Sequence, residues 1–293
     1  MAFIASFAFT TQAQILYRIS GKGLEAPSYI VGTYHLATSS FVDSIPGMRA
    51  AIEATTQVCG ELDMMDAFNP ENAARLMKAQ LLPEGVTLSS LLTAEQLQRL
   101  NAVLLNVMGS TLEDEAFAAQ IEKMNPATLS TTLTLASFMK GAKGFNPMDL
   151  IDNYFQTQAL QNGKTVKGFE TVDFQMEVLY GAPLEKQVND LMCMVDHFDM
   201  TVEMVNRIVA AYFSQDLKRI EAVMEEESEV ECTNSPEDED ILINNRNLNW
   251  IKLMPAMMGE KPTLFVVGAG HLCGEKGVLK LLEEEGYTVE GVK

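Results

Sequence analysis

Histidine is scarce in this chain, with three among 293 residues. Basic side chains are short too: 21 Lys and Arg stand against 40 Asp and Glu, a net charge of −19. A surface that acidic repels phosphate backbones, so no nucleic-acid partner is expected, and its field favours cations, metal ions included. Past the N-terminus no apolar run reaches the roughly 18 residues that a membrane span needs, which argues against an integral membrane protein. HExxH is absent, and with it the helix-borne zinc arrangement. None of the four cysteines has CxxC spacing, so a thiolate zinc site is not expected either.

Two of the three histidines share one pattern. Tyr29-Ile30-Val31-Gly32-Thr33-Tyr34-His35-Leu36 and Phe265-Val266-Val267-Gly268-Ala269-Gly270-His271-Leu272 both run apolar strand, Gly, two residues, His, Leu. A run apolar on both faces reads as a buried strand of a parallel or mixed sheet. The glycine then permits either a turn with positive φ or a close backbone approach, and the next side chains project past the sheet edge, where open α/β sheets bind ligands. If the two strands are neighbours, His35 and His271 converge. A lone loop histidine is more often only a hydrogen-bonded one; the repetition tips the reading to a duplicated site. His197, in Val195-Asp196-His197-Phe198, lacks both glycine and strand and reads as structural or exposed.

The hydrophobic content, 47%, suits one large domain with a sizeable core. Residues 1–14 read as the remnant of a signal peptide, an apolar run from Ala2 to Phe9 followed by Thr11-Gln12-Ala13-Gln14, and residues 15–293 as a single domain of an exported, periplasmic or secreted protein. Cys193 and Cys232 are candidates for a disulfide, whereas Cys59 and Cys273 sit in or just after strand patterns and read as buried thiols.

Ile15–Ser20 alternates like a half-exposed strand and forms a hairpin with Ser28–His35 through Gly21-Lys22-Gly23. Gln57-Val58-Cys59-Gly60-Glu61-Leu62 is a third strand, with Glu61 behind a glycine at its end. Thr165-Val166-Lys167-Gly168-Phe169-Glu170 repeats the arrangement with Glu170. Between and after these, about 70–160 and 173–258, leucine and methionine recur at helical spacing, which predicts a large inserted α-helical layer. Residues 225–240 carry nine acids without the alternating ligands and glycine of a calcium loop, and read as solvated. Asn245-Arg246-Asn247, ahead of the only tryptophan, Trp250, is unusual in so acidic a chain. The fold class expected is α/β, with a central mixed β-sheet made by the N- and C-terminal parts of the chain.

These motifs together resemble the TraB/GumN family, which includes the Tiki-like metalloproteases, over essentially residues 15–292. The resemblance implies a divalent-metal-dependent peptidase acting on a peptide or protein substrate. Its two GxxH histidines would be His35 and His271, its acidic partner Glu61, and its late-helix polar pair Arg246 with Asn245 or Asn247. Residue chemistry agrees: two imidazoles and a carboxylate make a common shell for Mn, Co or Zn, with a position left for water. Glu170 is then the expected proton acceptor, and Arg246, with Asn245 beside it, the oxyanion donor. Two other classes stay open: a metal-independent esterase-like hydrolase using one histidine oriented by Glu61 or Glu170, and a non-catalytic protein that binds a peptide or a metal in the same cleft.

Overall fold

The computed structural model describes residues 14–141, 145–228 and 235–293. The apolar N-terminal segment, Cys232 and the middle of the acidic stretch lie outside the described residues.

Among the described residues six strands make one mixed sheet: β1 (Leu16–Ser20), β2 (Ser28–Thr33), β3 (Gln57–Leu62), β4 (Thr165–Glu170), β5 (Thr263–Gly268) and β6 (Thr288–Gly291). Their order is β4-β3-β5-β2-β1-β6. The C-terminal strand β5 is thus inserted between the N-terminal strands β2 and β3, and is parallel to both. β4 adds parallel to β3 on the outside, while β1 pairs antiparallel with both β2 and β6. The segment after β5 crosses over β2 and β1 before β6 closes the far edge.

The continuous apolar runs follow from burial on both faces of the sheet. Along β5, Leu264 and Val266 point into one cluster with Val31, Val58, Ile151 and Phe155, while Phe265 and Val267 point into another with Ile30, Cys59, Trp250 and Met254. Each such side chain contributes about 1.5–3 kcal/mol when fully buried. The Ile151–Gln161 helix covers the first face through Ile151, Phe155 and Ala159, and the Asn245–Glu260 helix covers the second through Trp250, Ile251, Met254 and Met258.

A third cluster contains no strand residue. It joins Leu100 and Leu104 of the Ala94–Met108 helix, Leu129 and Leu133 of Pro126–Gly141, and Leu191 and Val195 of Leu184–Asp196. This is the helical layer, a core of its own. The helices that flank the sheet, although they lie in the same stretches of sequence, pack on the strands instead.

Among the described residues no helix is long and apolar enough to cross a membrane. Cys59 is a buried free thiol and Cys273 a half-buried one. Cys193 is disulfide-bonded.

Candidate functional site

Because β2, β3, β4 and β5 are parallel, their carboxyl ends share one edge, and each carries a glycine near that end: Gly32, Gly60, Gly168 and Gly268. None of the four has a positive φ. What they provide is closeness. A Cβ on Gly32 would come within 2.9 Å of Leu272 and 3.0 Å of Ala269, so the short turn Ala269–Leu272 can lie against the end of β2 only because no side chain is there. A Cβ on Gly268 would stand 3.4 Å from Glu61 Oε1, 3.5 Å from His271 Cδ2 and 3.9 Å from His35 Nε2. One space, a side chain's width across, is therefore shared by both histidines and the glutamate.

Each histidine is held by its other nitrogen. His35 Nδ1 lies 3.0 Å from Asp152 Oδ2, and the Thr33 hydroxyl donates to Asp152 Oδ1 at 2.6 Å. His271 Nδ1 lies 2.7 Å from Asn247 Oδ1. The Asn247 amide cannot be turned round, because its Nδ2 donates to the carbonyls of His271 (3.2 Å) and Lys276 (2.9 Å). His271 Nδ1 must then carry the proton, and its Nε2 the lone pair. The neighbour of Nε2 agrees: Arg246 Nη1, a donor only, is 3.2 Å away.

The environments differ in charge. Hydrogen bonding and charge from Asp152 raise the pKa of His35, although its side chain is 69% exposed and solvent screens the pair. Burial pulls His271 down to about 4 against the pull of Glu61, so it is neutral at pH 7. Its ring lies 4.3 Å from that of Trp250, which stacks on Phe169 at 5.0 Å. For Glu61, burial favours the acid form, but His271, His35, Arg246 and the Gly268 N–H outweigh it and hold the pKa at about 2.

Arg246 is the hub. Its Nε donates to Glu170 Oε1 (2.7 Å), its Nη2 to Glu170 Oε2 (2.9 Å) and Glu61 Oε2 (2.5 Å), and its Nη1 to the Leu242 carbonyl (3.0 Å) and His271 Nε2 (3.2 Å). All five guanidinium N–H groups are used. Glu170 is equally saturated, since Trp250 Nε1 (2.8 Å) and Gln175 Nε2 (3.1 Å) also donate to it. Arg246 and Trp250, four residues apart on one helix face, reach the same carboxylate. Just ahead of them the helix widens into a π-helical stretch, Asp240–Asn244, a distortion common beside functional sites.

The donor chemistry fits a divalent first-row ion. Two imidazoles anchored at Nδ1 by an oxygen, beside a shared carboxylate, is how proteins orient metal ligands; His35 presents Nε2 to the space at Gly268, whereas His271 presents its ring edge there and its Nε2 to Arg246. The nearest approach of His271 Nε2 to Glu61 Oε1 is 3.8 Å. Among the described residues no group of three or more His, Cys, Asp or Glu side chains stands at ligand spacing. Behind the Ala269–Leu272 turn lies a cavity of about 500 Å³, bordered by Gly270, Met224, Ile243 and the acids Glu221, Glu239 and Asp240; it does not include the cluster.

Of the residues singled out from sequence, His35, His271, Glu61, Glu170 and Arg246 stand together here. Asn245 is exposed, and the asparagine that touches a histidine is Asn247, which is buried. Helix phase decides between them, since only Asn247 turns inward with Arg246 and Trp250. Sequence reasoning missed Asp152 and Gln156, the latter bridging Leu62 O (2.8 Å) and Met64 N (2.9 Å) at the end of β3. The available signal was that these two polar residues, i and i+4 on one helix, share the face that buries Phe155 and Ala159.

The profile of the TraB/PrgY/gumN family matches residues 15–291. Metalloprotease TIKI2 of Danio rerio is 25% identical over 305 residues, covering 90% of this chain and 58% of that protein. Metalloprotease TIKI homologs of Nematostella vectensis and Amphimedon queenslandica are 23% and 22% identical, covering 91% and 95% of this chain and 65% and 61% of their own lengths. The chain thus spans about three-fifths of the curated relatives it matches. No solved structure matches.

Proposed function

Because this chain belongs to the TraB/PrgY/gumN family, we propose that it is a divalent-metal-dependent hydrolase, most plainly a peptidase acting on peptides or proteins. The observation that carries the reading is the gathering of His35 Nε2, the His271 ring and Glu61 Oε1 around Gly268, with both Nδ1 atoms already engaged. The names of the relatives support the metal and the peptide bond.

His35, His271 and Glu61 would hold the ion. When bound, such an ion lowers the pKa of water and polarises a scissile carbonyl. Asp152 and Asn247 keep the imidazoles in the ligating tautomer, and Asp152 adds charge that makes His35 a stronger donor. Trp250 and Phe169 wall His271 from water, so charges on this side of the site act at low dielectric. Glu170 accepts four N–H bonds, which suits it to anchoring Arg246 better than to taking a proton. A signal-bearing, exported precursor remains part of the proposal; the disulfide at Cys193 accords with an oxidising compartment.

Protein purified without chelator should contain Mn, Co or Zn by elemental analysis and cleave members of a broad peptide library. Cleavage should stop on chelation and return with those ions better than with Ca²⁺, which prefers all-oxygen shells. Full occupancy without turnover would leave a binding protein instead.

Thr33, Asp152 and His35 form a hydrogen-bonded relay ending at an exposed imidazole, which could act as a general base without an ion once the pH exceeds its raised pKa. Hydrolysis that survives chelation and disappears in His35→Ala would favour it.

A further inference from the structure

The saturation of Arg246 has a bearing on how an ion enters. We infer that Arg246 is a resident cation which competes with the divalent ion for Glu61 and His271, and that loading exchanges one positive charge for another while Glu170 keeps hold of the guanidinium. This deepens the metallohydrolase reading above and rests on it.

The first ground is a single lone pair. His271 Nε2 has one in-plane acceptor site, its proton being on Nδ1, and Arg246 Nη1 at 3.2 Å occupies it. Coordination by that nitrogen needs the hydrogen bond to break. The second ground is Glu61, which accepts from Gly268 N at 2.8 Å on Oε1 and from Arg246 Nη2 at 2.5 Å on Oε2, so the guanidinium occupies one face of a would-be ligand. The third is the asymmetry of the guanidinium. Its Nε and Nη2 edge is clamped side-on by Glu170, 4% exposed and itself fixed by Trp250 and Gln175, while its Nη1 end faces His271. A small rotation about the Glu170 clamp would free both candidate ligands without uncovering the buried carboxylate. The remaining contact of Arg246, from Nη1 to the carbonyl of Leu242, is to a residue inside the π-helical stretch Asp240–Asn244, where helix hydrogen bonding is already rearranged.

A residue that merely positions ligands would behave in the opposite way on removal. Without Arg246, Glu61 and Glu170 would face each other unpaired, and a divalent ion would be the remaining compensation. We would titrate Mn²⁺ and Zn²⁺ into the full chain by calorimetry and follow melting with and without each ion. Arg246→Met should melt lower than wild type without metal, bind Mn²⁺ or Zn²⁺ ~10-fold more tightly or better, and gain more from the ion in melting temperature. Arg246→Lys, which keeps the charge but has three donors, should fall between them. Weaker binding by Arg246→Met than by wild type would overturn the exchange and leave Arg246 as a positioning residue. Absence of binding to every form would overturn the metal reading and this inference with it.

Should Arg246→Met not fold, wild-type protein supplies the answer. On Zn²⁺ addition the Arg246 Nη protons that face His271 and Glu61 should lose their protection in ¹⁵N NMR, while the Nε and Nη2 protons bonded to Glu170 retain theirs. Unchanged protection of both with Zn²⁺ bound would contradict the exchange.

Discussion

The two Gly-x-x-His segments have the same sequence pattern, lie at the ends of adjacent parallel strands, and yet put their histidines in opposite surroundings. His35 is mostly exposed, paired with a carboxylate and pushed toward the charged form. His271 is buried, paired with an amide, set against the ring of Trp250 and pushed toward the neutral form. The difference comes from what each flanking helix supplies: Asp152 on one face of the sheet, Asn247 and Arg246 on the other. The repeat brings a nitrogen to the sheet edge; the helices decide its charge.

Replacing each histidine should break the symmetry most. His35→Ala and His271→Ala should each weaken metal binding by more than the ~10–100-fold usual for outer-shell partners. Stability should separate them. His271→Ala leaves Arg246 Nη1 and Asn247 Oδ1 without their partner in a buried place, at about 1–3 kcal/mol for each group left unsatisfied, whereas His35→Ala should stay near the ~0.5 kcal/mol of an ordinary surface change. Equal losses in denaturant melts would mean that the two surroundings are alike after all.

Changing the partners is the gentler test. Asn247→Ala and Asp152→Asn should each cost ~10-fold or more in metal affinity, because the first frees the His271 ring and the second removes the charge behind His35. Asn245→Ala should cost nothing measurable. An effect at Asn245 equal to that at Asn247 would contradict the helix phase.

The smallest effect is the sharpest in sign. In protein stripped of metal, NMR titration should place His35 above the ordinary imidazole pKa of about 6.5 and His271 well below it. A raised folded-state pKa gives stability that is present below 6.5 and lost as pH rises through the folded value. His271 is the reverse case, a base with a depressed pKa: the unfolded chain binds the extra proton between about 4 and 6.5, so stability falls as pH falls through that window. His35→Ala should flatten the alkaline limb of the stability profile, and His271→Ala the acid limb. Titration of both histidines on the same side of 6.5 would remove the contrast.

The strands were legible because burial on both faces leaves an unbroken run, as in Leu264–Val267, and the site edge because four strands carry a glycine near the end with a histidine or glutamate shortly after it: His35, Glu61, Glu170 and His271. The helical layer was legible from leucine spacing. What sequence does not carry is which helix lies over which strand. Ile151–Gln161 and Asn245–Glu260 look like parts of the helical layer, yet both roof the sheet, so Asp152 meets His35 across 117 residues with nothing in the local pattern to mark it. Glu170 and Arg246 were legible as residues and not as roles. That they consume each other's hydrogen bonds is a fact of geometry alone.

The central claim, that the two repeats build one centre, is best tested by X-ray absorption at the metal edge of Co²⁺-loaded protein. The account predicts two imidazole nitrogens and at least one carboxylate oxygen in wild type, falling to one imidazole in His35→Ala and in His271→Ala alike. A shell without imidazole, or one unchanged by either substitution, would contradict it.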